Sequence, residues 1–478
     1  MKMLIGGEWV NSSDNQVMEV RNSATWELID TVPVATLADV EQAIQIAQKG
    51  KEVWGNTPVH ERSRILSKAA DEIDRRRGEL ANLLTTEMGK IIREATPEIA
   101  VAAKIYKGFG QRMCSLYGET MTDYQPGTEK DIIFTRREPL GVIACIIPFN
   151  YPVELCAQKV AAALAAGNAV IIKPASDNPL TVTTVAGILL EAGVPGSAIQ
   201  VLTGSGAQIG AALTESPLVN GVSLTGSTEV GISVAKSAAN TLKHVFLELG
   251  GNDPYIVFED ADIAFAVEGA VAGRVQNAGQ TCCAPKRFIV QNSIKDAFIA
   301  CALERLKKVK TGSPLDFATD LGSLISPKAA ETVEKQVQAT VAAGAKLLCG
   351  GKRYDTTYFE PTLLGGVTPE MDIARNMEVF GPVIPVIGFD TPDDAVRIAN
   401  NTIFGLQAGV ITKDMRLALT TASRLQCGGV VINGSGNYRN VDQPFGGTKM
   451  SGMGREGIAC TLEEMSQVKS YILKNVLL

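Results

Sequence analysis

Two short segments of the sequence carry side chains that could act on a carbonyl group. Residues 277–284 read Asn-Ala-Gly-Gln-Thr-Cys-Cys-Ala and contain Cys282, and residues 247–252 read Leu-Glu-Leu-Gly-Gly-Asn and contain Glu248. A cysteine attacks a carbonyl carbon as its thiolate, and a carboxylate can activate the water that releases the acyl product. The spacing alone leaves open that Cys282, like most of the nine cysteines, is a small buried apolar residue.

The scarcity of histidine narrows the chemistry further. His60 and His244 are the two histidines of the chain, which disfavours a histidine base or a site with several histidine ligands. No Cys-x-x-Cys pair occurs, so the spacing lacks a zinc-ribbon signature and no metal is expected. The chemistry must therefore use carboxylates, thiols, amines or a cofactor.

Composition and charge are those of an ordinary α/β protein of 478 residues, 45% hydrophobic and 20% charged. The net charge of −6 gives no positive electrostatic potential that would attract the phosphates of nucleic acid, so nucleic acid is not an expected partner. No uninterrupted apolar run of about 18 residues predicts a membrane span, and residues 1–10 do not resemble a signal peptide. Scattered cysteines fit reduced thiols, so we expect a cytoplasmic protein.

Periodicity predicts an α/β fold with two sets of strands and helices. Residues 36–113 are expected to be mostly helical, with Thr36 as the first N-cap, and residues 118–138 to form a hairpin or strand extension. From residue 141 to 249, short apolar runs alternate with helices, which is typical of a parallel sheet that binds ligands beyond the carboxyl ends of its strands. A second α/β set follows, and residues 466–478 form a terminal strand. The predicted strands are 141–147, 169–172, 199–202, 221–224, 245–249 and 288–290, and the later predicted helices are 153–166, 181–192, 228–239, 297–308 and 327–343.

Further motifs recur in a fixed order along the chain. Besides the two segments above they are Pro148-Phe149-Asn150, Lys173-Pro174-Ala175-Ser176, Thr225-Gly226-Ser227-Thr228-Glu229, Glu378-Val379-Phe380-Gly381-Pro382 and Pro444-Phe445-Gly446-Gly447. With these motifs the sequence resembles the aldehyde dehydrogenase superfamily along essentially its whole length. Because several separate motifs coincide in order, the resemblance is far more specific than any single motif.

The resemblance implies the aldehyde dehydrogenase fold in three parts. Residues 1–117 and 139–249 would form a Rossmann-like, dinucleotide-binding domain, and residues 250–463 a second α/β, catalytic domain. Residues 118–138 and 464–478 would form a small β extension. Edge strands can pair with another chain, so this extension is expected to join subunits into a homodimer or homotetramer.

The resemblance also assigns catalytic roles. Cys282 matches the family's nucleophile and Glu248 its general base, and the side chain of Asn150, with the backbone N–H of Cys282, matches its oxyanion hole. The implied reaction forms a thiohemiacetal on Cys282, then a thioester, and then the carboxylic acid. Donors aimed at the substrate oxygen lower the barrier, by about 3 kcal/mol per donor in other enzymes, because charge gathers there. Cys283 is expected to be a bystander.

The implied cofactor is NADP or NAD. Residues 204–210 are one residue too long for Gly-x-Gly-x-x-Gly, and the family binds the pyrophosphate through a variant turn, here Gly226 and Ser227 ahead of a helix whose free N–H groups favour phosphate. Lys173 is expected at the adenosine ribose. Many NAD-preferring relatives carry Glu at the position of Ser176, and since a neutral Ser does not repel a 2′-phosphate, we expect NADP to be accepted.

Glu378 and Phe380 match the positions that hold the nicotinamide ribose and ring. The full set of expected cofactor-binding residues is Ile146, Ile147, Pro148, Phe149, Lys173, Ser176, Gly206, Gly210, Gly226, Ser227, Val230, Leu249, Gly250, Glu378 and Phe380.

The substrate contacts implied by the resemblance are Tyr151, Phe445 and Arg439. Relatives that act on phosphorylated or acidic aldehydes also carry Arg at the position of Arg439, and a guanidinium can bind carboxylate or phosphate bidentately; a surface arginine on a polar loop is the alternative. Succinate semialdehyde dehydrogenases typically carry two arginines where this chain has Gln158 and Gln276. We therefore expect a short polar or anionic aldehyde of the lactaldehyde, glyceraldehyde-3-phosphate or semialdehyde type.

Other functions remain as alternatives. A CoA-acylating semialdehyde dehydrogenase generally lacks the base glutamate, so Glu248 argues for hydrolysis. A non-catalytic nucleotide-binding protein could share the fold, but the presence of Cys282, Glu248 and Asn150 argues against it. A metal-dependent hydrolase is disfavoured by the two histidines.

Overall fold

Two large sheets, each beside its own apolar core, organise the chain. The computed structural model describes residues 1–122 and 125–477. The first core lies mainly between residues 3 and 249 and takes in a few residues from near the C-terminus, whereas the second lies between residues 255 and 418. The two sheets therefore fold around separate sets of buried side chains.

The first helix begins with a capping box, in which Thr36 and Asp39 exchange side-chain and backbone hydrogen bonds. The helices cover the sheets with their apolar faces. They are α1 (Leu37–Gly55), α2 (Val59–Arg75), α3 (Arg77–Met88), α4 (Ile92–Arg112), α5 (Pro152–Ala166), α6 (Leu180–Ala192), α7 (Gly206–Glu215), α8 (Thr228–Ala239), α9 (Ile263–Val275), α10 (Asn292–Leu306), α11 (Pro327–Ala342), α12 (Pro392–Asn400), α13 (Met415–Arg424) and α14 (Ile458–Glu464). Among the residues described, no helix combines the length and the apolarity that crossing a membrane requires.

The strands are short and fall into two large sheets and three small ones. They are β1 (Met3–Ile5), β2 (Glu8–Val10), β3 (Val17–Arg21), β4 (Leu28–Pro33), β5 (Thr120–Met121), β6 (Ile132–Pro139), β7 (Val142–Ile146), β8 (Ala169–Lys173), β9 (Ile199–Val201), β10 (Gly221–Thr225), β11 (His244–Glu248), β12 (Asp253–Val257), β13 (Pro285–Gln291), β14 (Lys346–Cys349), β15 (Arg353–Tyr354), β16 (Tyr358–Phe359), β17 (Thr362–Val367), β18 (Val383–Phe389), β19 (Gln407–Ile411), β20 (Gly429–Ile432), β21 (Gly452–Met453) and β22 (Ser466–Leu473).

The first sheet has the strand order β2-β1-β9-β8-β7-β10-β11-β21. The five strands from β9 to β11 run parallel, and antiparallel strands β1 and β21 extend the sheet on either side. All five parallel strands therefore end on the same side of the sheet, where a doubly wound fold binds its ligand.

The second sheet has the order β14-β17-β18-β13-β12-β19-β20 and is parallel except for β14. A third, antiparallel sheet has the order β22-β6-β5, in which β22 pairs with β6 along its full length from Ser466 to Leu473. The terminal strand predicted from the sequence thus pairs with the predicted extension of its own chain.

The expected α/β class is confirmed, and each element predicted between residues 141 and 249 lies within one residue of an observed one. The features of the first sheet that were not predicted are β1 and β2, helix α7, and β21, which comes from the stretch assigned to the catalytic domain but pairs with β11. Strands β3, β4, β12 and β14–β20 and helices α9 and α12–α14 were not predicted either. The domain boundaries stay predictions.

Candidate active site

The motif residues of the first sheet gather where its parallel strands end. Strands β7, β8, β10 and β11 end at Ile146, Lys173, Thr225 and Glu248, so the segments that follow them share one edge of the sheet. Cys282 approaches from the other sheet, just before β13 begins at Pro285. The two sheets therefore bring the two groups of motifs together.

A cleft of about 880 Å³ lies at this meeting point. Residues from both sides line it, including ten of those predicted from the sequence: Pro148, Phe149, Asn150, Gly226, Ser227, Leu249, Gly250, Cys282, Glu378 and Phe380. The phenyl rings of Phe149 and Phe380 meet edge to face across 6.1 Å between their centres. A space of this size beside a cysteine has room for a small-molecule ligand.

The loop before Cys282 has a strained main chain. Within the 3₁₀ turn Gln276–Gly279, Asn277 and Ala278 have φ angles of 51° and 53°, in the left-handed region that costs non-glycine residues energy. Gly279 also has a positive φ, and a side chain there would collide with the carbonyl oxygen of Gly381. Such a turn persists only where its surroundings hold it, which is common at functional sites.

Hydrogen bonds from Gln280 hold this loop. Its Nε2 donates to the carbonyl oxygen of Asn277 at 3.1 Å, and its Oε1 accepts the N–H of Ile325 at 2.9 Å. The Cys282 N–H that follows donates no hydrogen bond to another group in the described part of the chain. This N–H is therefore available to a substrate oxygen, as the oxyanion role requires.

The Cys282 thiol is half-buried beside Cys283, Leu406 and Phe445. A hydrogen bond with the Cys283 thiol and burial raise the pKa of Cys282 well above its usual range, whereas the positive charges of Lys286 and Arg439 lower it. Formation of the nucleophilic thiolate therefore depends on nearby cations.

Lys286 lies directly behind the nucleophile, with a side chain only 1% exposed. Its Nζ donates to the carbonyl oxygens of Thr281 at 3.0 Å and Cys282 at 2.5 Å. It also lies 3.3 Å from Oε1 of Glu378, the carboxylate that was expected at the nicotinamide ribose. One cation thus touches both the nucleophile's main chain and the cofactor side of the cleft.

The main chain of Asn150 is anchored by two side chains. Lys90 Nζ and Asn277 Nδ2 donate to its carbonyl oxygen at 2.8 and 3.0 Å. The buried Lys90 also pairs with Glu98 and lies 3.6 Å from the centre of the Tyr151 ring. The Asn150 side chain lines the cleft, and its Oδ1 has no hydrogen-bond partner among the described residues. The protein therefore holds the side-chain amide of Asn150 at the cleft without a hydrogen bond to its oxygen.

Glu248 does not line the cleft. Its buried carboxylate borders a separate space of about 10 Å³, which it shares with Lys159 and Glu456. Neither carboxylate oxygen has a hydrogen-bond partner among the described residues. Burial, and then the charge of Glu456, raise the pKa of Glu248 well above its usual range. A buried, unpaired carboxylate of raised pKa is a strong base, although this side chain is turned away from the space that Cys282 faces.

Glu456 lies beside Glu248 but is fully paired. Lys159 Nζ donates to one of its oxygens at 2.6 Å and Arg439 Nη2 to the other at 2.8 Å. Burial opposes ionisation, but these two cations outweigh it and lower the pKa of Glu456. The Arg439 guanidinium, which was expected to bind substrate, is therefore already engaged by a carboxylate of the protein.

The other predicted substrate residues lie around this cluster. The Arg439 guanidinium stacks 4.0 Å from the centre of the Phe445 ring. The Tyr151 hydroxyl is 3.4 Å from Thr281 Oγ1, and Gln276 Oε1 accepts a 2.7 Å hydrogen bond from Asn437 Nδ2.

Lys173 and Ser176 form the far end of the site. Lys173 Nζ donates to the carbonyl oxygen of Pro174 at 2.7 Å and to Ser176 Oγ at 3.1 Å, and Ser176 Oγ donates to the carbonyl oxygen of Gly204 at 2.8 Å. Burial lowers the pKa of Lys173 to about 8, against the opposing effect of Asp177. This cation and hydroxyl offer donors to a ribose or phosphate.

Helix α8 begins at the cleft. Ser227 is its N-cap, and its hydroxyl accepts the N–H of Val230 in the first turn at a long 3.4 Å. The remaining amides at a helix start are unpaired and attract phosphate. Gly250 and Glu378 face each other on the opposite side, where a side chain at Gly250 would collide with the Glu378 carboxylate. These groups fit the two ends of a dinucleotide.

The remaining predicted cofactor residues do not line the cleft. A Cβ at Gly206 would stand 3.9 Å from Lys173 Nζ, and one at Gly210 would stand 3.8 Å from Cδ1 of Ile146. Ile147 is buried, and Val230 is 48% exposed on α8. The structure thus places Gly210, Ile146 and Ile147 in supporting packing positions.

Several site residues escaped the sequence analysis. Cleft-lining residues at and before α11 were not predicted: Ile325, Ser326, Lys328, Ala329, Thr332, Val333 and Gln336. Neither were the buried lysines Lys90, Lys159 and Lys286. No local pattern marks these lysines, because each has a partner on a distant part of the chain, namely Asn150, Glu456 and Glu378.

Similar sequences agree on the kind of protein. The chain is 38% identical over 475 residues to a lactaldehyde dehydrogenase of Methanococcus aeolicus, covering 98% of this chain and 99% of that protein. It is also 38% identical over 470 residues to a succinate semialdehyde dehydrogenase of Acinetobacter baylyi, covering 98% and 96%.

Solved structures agree as well. An NADP-dependent enzyme of E. coli superposes with a TM-score of 0.96 at 35% identity, covering 99% of this chain and 98% of that one. A betaine aldehyde dehydrogenase of Staphylococcus aureus in complex with NAD+ gives 0.96 at 35% identity, covering 99% and 95%.

The fold and the site are thus those of a nicotinamide-dependent oxidoreductase. The model of the aldehyde dehydrogenase family matches residues 9–471, and the chain belongs to this family. It is an enzyme that oxidises an aldehyde to a carboxylic acid with NAD or NADP. The non-catalytic and CoA-acylating alternatives are not favoured by these relatives.

Proposed function

We propose that the protein oxidises a short hydroxy-aldehyde through a covalent thioester on Cys282, with Asn150 holding the substrate oxygen and Glu248 activating water. The single observation that carries the substrate proposal is the engagement of Arg439 by Glu456 at 2.8 Å. Because a protein carboxylate already meets this guanidinium, the site offers a substrate little free positive charge.

The chain's own groups account for each step. The Cys282 thiolate bonds to the aldehyde carbon, and the oxygen takes the charge and accepts hydrogen bonds from Asn150 Nδ2 and the Cys282 N–H. When bound, the nicotinamide cofactor accepts the hydride that leaves this carbon. Water then attacks the thioester carbon, Glu248 takes the water's proton, and the carbon–sulfur bond breaks to release the acid.

Glu248 must turn toward Cys282 to act on this water, because in the structure its carboxylate borders a different space. Turning costs no hydrogen bond, since neither oxygen has a partner among the described residues. The fixed ion pairs of Glu456 also leave Glu248 as the free carboxylate of the two.

For the cofactor we propose that NADP is used as well as NAD. Lys173, Ser176, the start of α8 and Glu378 supply donors and an acceptor where a dinucleotide would lie. The neutral hydroxyl of Ser176, in hydrogen-bond contact with Lys173 Nζ, would favour a 2′-phosphate rather than repel it.

Two uncharged polar side chains near the predicted substrate residues support a hydroxy-aldehyde. Gln276 accepts a hydrogen bond from Asn437, two residues before Arg439, and Gln158 is buried with neither amide atom hydrogen-bonded among the described residues. The lactaldehyde dehydrogenase among the relatives is consistent with this substrate class.

A panel of lactaldehyde, glyceraldehyde, glyceraldehyde-3-phosphate and succinate semialdehyde, assayed with NAD and with NADP, tests the proposal. We expect the highest kcat/KM with an uncharged hydroxy-aldehyde and no reduced cofactor from Cys282→Ala, with Cys283→Ala as the matched active control. Full activity in Cys282→Ala would refute the mechanism, and a strong preference for the phosphorylated or acidic aldehyde would refute the substrate class.

An anionic aldehyde is the second candidate, because Arg439 Nε has no hydrogen-bond partner among the described residues. Arg439→Met separates the two. If Arg439 binds substrate, KM rises for the anionic aldehydes alone; if it serves to hold Glu456, kcat falls alike for every aldehyde.

Two further proposals concern the whole molecule. The three-stranded sheet would join subunits into a homodimer or homotetramer through the exposed side of β22, most of whose side chains are exposed. Reduced cysteines are consistent with a cytoplasmic location, since the nine cysteines are all free. Light scattering of the purified protein tests the first proposal.

A further inference from the structure

We propose that Lys286 is a positioning residue: its buried ammonium orients the peptide group that carries the Cys282 N–H and ties it to Glu378 on the cofactor side. The proposal rests on the nucleophilic role proposed for Cys282. It gives a function to a lysine that stands outside the proposed chemical steps.

The ammonium has three partners inside the protein, two of which accept hydrogen bonds and one of which forms an ion pair. They are the carbonyl oxygens of Thr281 and Cys282 at 3.0 and 2.5 Å and the Glu378 carboxylate at 3.3 Å. Because the Lys286 side chain is only 1% exposed, water cannot replace any of these contacts. Removing this ammonium would leave its partners, including the Glu378 carboxylate, without a compensating charge.

The contact with Thr281 decides the direction of the nucleophile's N–H. The carbonyl of Thr281 and the N–H of Cys282 belong to one planar trans peptide, in which they point in opposite directions. Lys286 draws the carbonyl toward itself, so the N–H points away from the lysine. Because that N–H has no partner in the described part of the chain, it is left for the substrate oxygen.

The contact with Glu378 extends this effect to the cofactor side. Glu378 Oε1 also accepts the N–H of Gly251 at 2.9 Å, next to Gly250 in the cleft wall. Lys286 is therefore the shared contact between the nucleophile's peptide and the carboxylate predicted to hold the nicotinamide ribose. A shift of either one displaces the other through this ammonium.

Lys286 also acts on the thiol by charge. The charged and titratable groups close enough to interact electrostatically with the Cys282 thiol are Cys283, Lys286, Arg439 and Glu248. Arg439 is neutralised by Glu456, and Lys286 faces Glu378 and Asp253. Of the two cations, Lys286 alone also bonds the main chain of the cysteine that it acts on.

Lys286→Met removes the ammonium and keeps the shape of the side chain. Lys243→Met is the matched control, since Lys243 is also a buried lysine that donates to a main-chain carbonyl, that of Ser216, but lies outside the cleft lining. For each variant we would measure Tm, kcat and the pH dependence of Cys282 alkylation by iodoacetamide in cofactor-free protein, with the labelled peptide identified by mass spectrometry.

We expect the alkylation midpoint of Lys286→Met to rise by about one pH unit or more, as loss of a nearby opposite charge requires, and kcat to fall roughly 10–100-fold. Lys243→Met should match the parent in both. A purely structural lysine would lower Tm without moving the midpoint. A parental midpoint and kcat in Lys286→Met would overturn the proposal.

If Lys286→Met does not fold, Glu378→Gln provides a second test of the same proposal. Removing the carboxylate leaves the Lys286 charge less compensated, so the alkylation midpoint should fall, opposite in sign to the first variant. An unchanged or raised midpoint would contradict the proposal. Activity in Cys282→Ala would instead refute the proposed function itself, so the two failures are distinguishable.

Discussion

The two ends of the cleft are built differently. At the catalytic end, around Cys282, main-chain carbonyls are held by ammonium groups of Lys90 and Lys286, whose side chains are 0% and 1% exposed. At the nucleotide end, around Lys173, the half-buried Ser176 is held by two hydrogen bonds and the contacts are mostly local in sequence. Substitutions at the catalytic end should therefore change the reaction rate, and substitutions at the nucleotide end should change the preference for NAD or NADP.

The largest effect is expected at the catalytic end for Glu248→Gln. The variant keeps the size of a side chain that makes no hydrogen bond but cannot take a proton from water, so steady-state turnover should fall by about 10²–10⁴-fold. The first turnover should still release one equivalent of reduced cofactor, which stopped-flow absorbance measures. Glu268→Gln, on the surface beside Arg305, is the control. Normal turnover in Glu248→Gln would mean that another group is the base.

Asn150→Ala should lower kcat by about 10²–10³-fold, because it removes one donor to the substrate oxygen. Lys90 and Asn277 bond the backbone of Asn150 rather than its side chain, so the loop should keep its shape. The dissociation constant of the cofactor, measured by fluorescence, should stay at the parental value. A weakened cofactor affinity with normal kcat would place the role of Asn150 at the nucleotide end instead.

At the nucleotide end, Ser176→Glu should raise KM for NADP by about 10–100-fold and leave kcat with NAD largely unchanged. A carboxylate beside a 2′-phosphate repels it by roughly 1–4 kcal/mol at contact distances near a protein surface. Steady-state kinetics with both cofactors measure the change. A parallel loss with NAD would show that the two ends are not independent.

The smallest effect is a pH dependence of NADP binding. Burial lowers the pKa of Lys173 to about 8, so the free enzyme carries this charge below that pH and loses it above. KM for NADP should therefore rise by up to about tenfold from pH 7 to 9, while KM for NAD changes less. Lys173→Met should have a high KM for NADP that no longer changes over this range.

The difference between contacts that are local in sequence and contacts between distant residues also explains how far the sequence could predict the structure. Between residues 141 and 249 the strands are short apolar runs, and helices α5 and α6 end just before Gly167 and Gly193. Helix α8, which ends at Ala239 before Asn240, was predicted with its observed bounds, Thr228–Ala239. Helix α7 was missed because it begins at Gly206 within a glycine cluster, although Ser205 caps it. Strand β21, with two residues, has no periodicity to detect.

The residues of the candidate site also divide into those that sequence motifs predicted and those that only the tertiary structure reveals. Cys282, Asn150 and Glu248 belong to motifs contiguous in sequence, and two of the three line the cleft. The buried lysines around them were not predictable, because Lys90 bonds the Asn150 carbonyl, 60 residues away, and Lys159 bonds Glu456, 297 residues away. The engagement of Arg439 by Glu456 likewise depends on tertiary packing, so the sequence alone left substrate binding as an alternative.

Strand β1 has a consequence for how the chain assembles. Leu4 pairs with Val201, and the N–H of Gly6 donates to the side chain of Gln200. A ribosome that adds 5–20 residues per second needs roughly 10–40 s to make the intervening stretch. During synthesis β1 can pair at once with β2, which follows it directly, but its other edge must wait for β9. In that interval the edge of β1 that later pairs with β9 is open to pairing with another nascent chain.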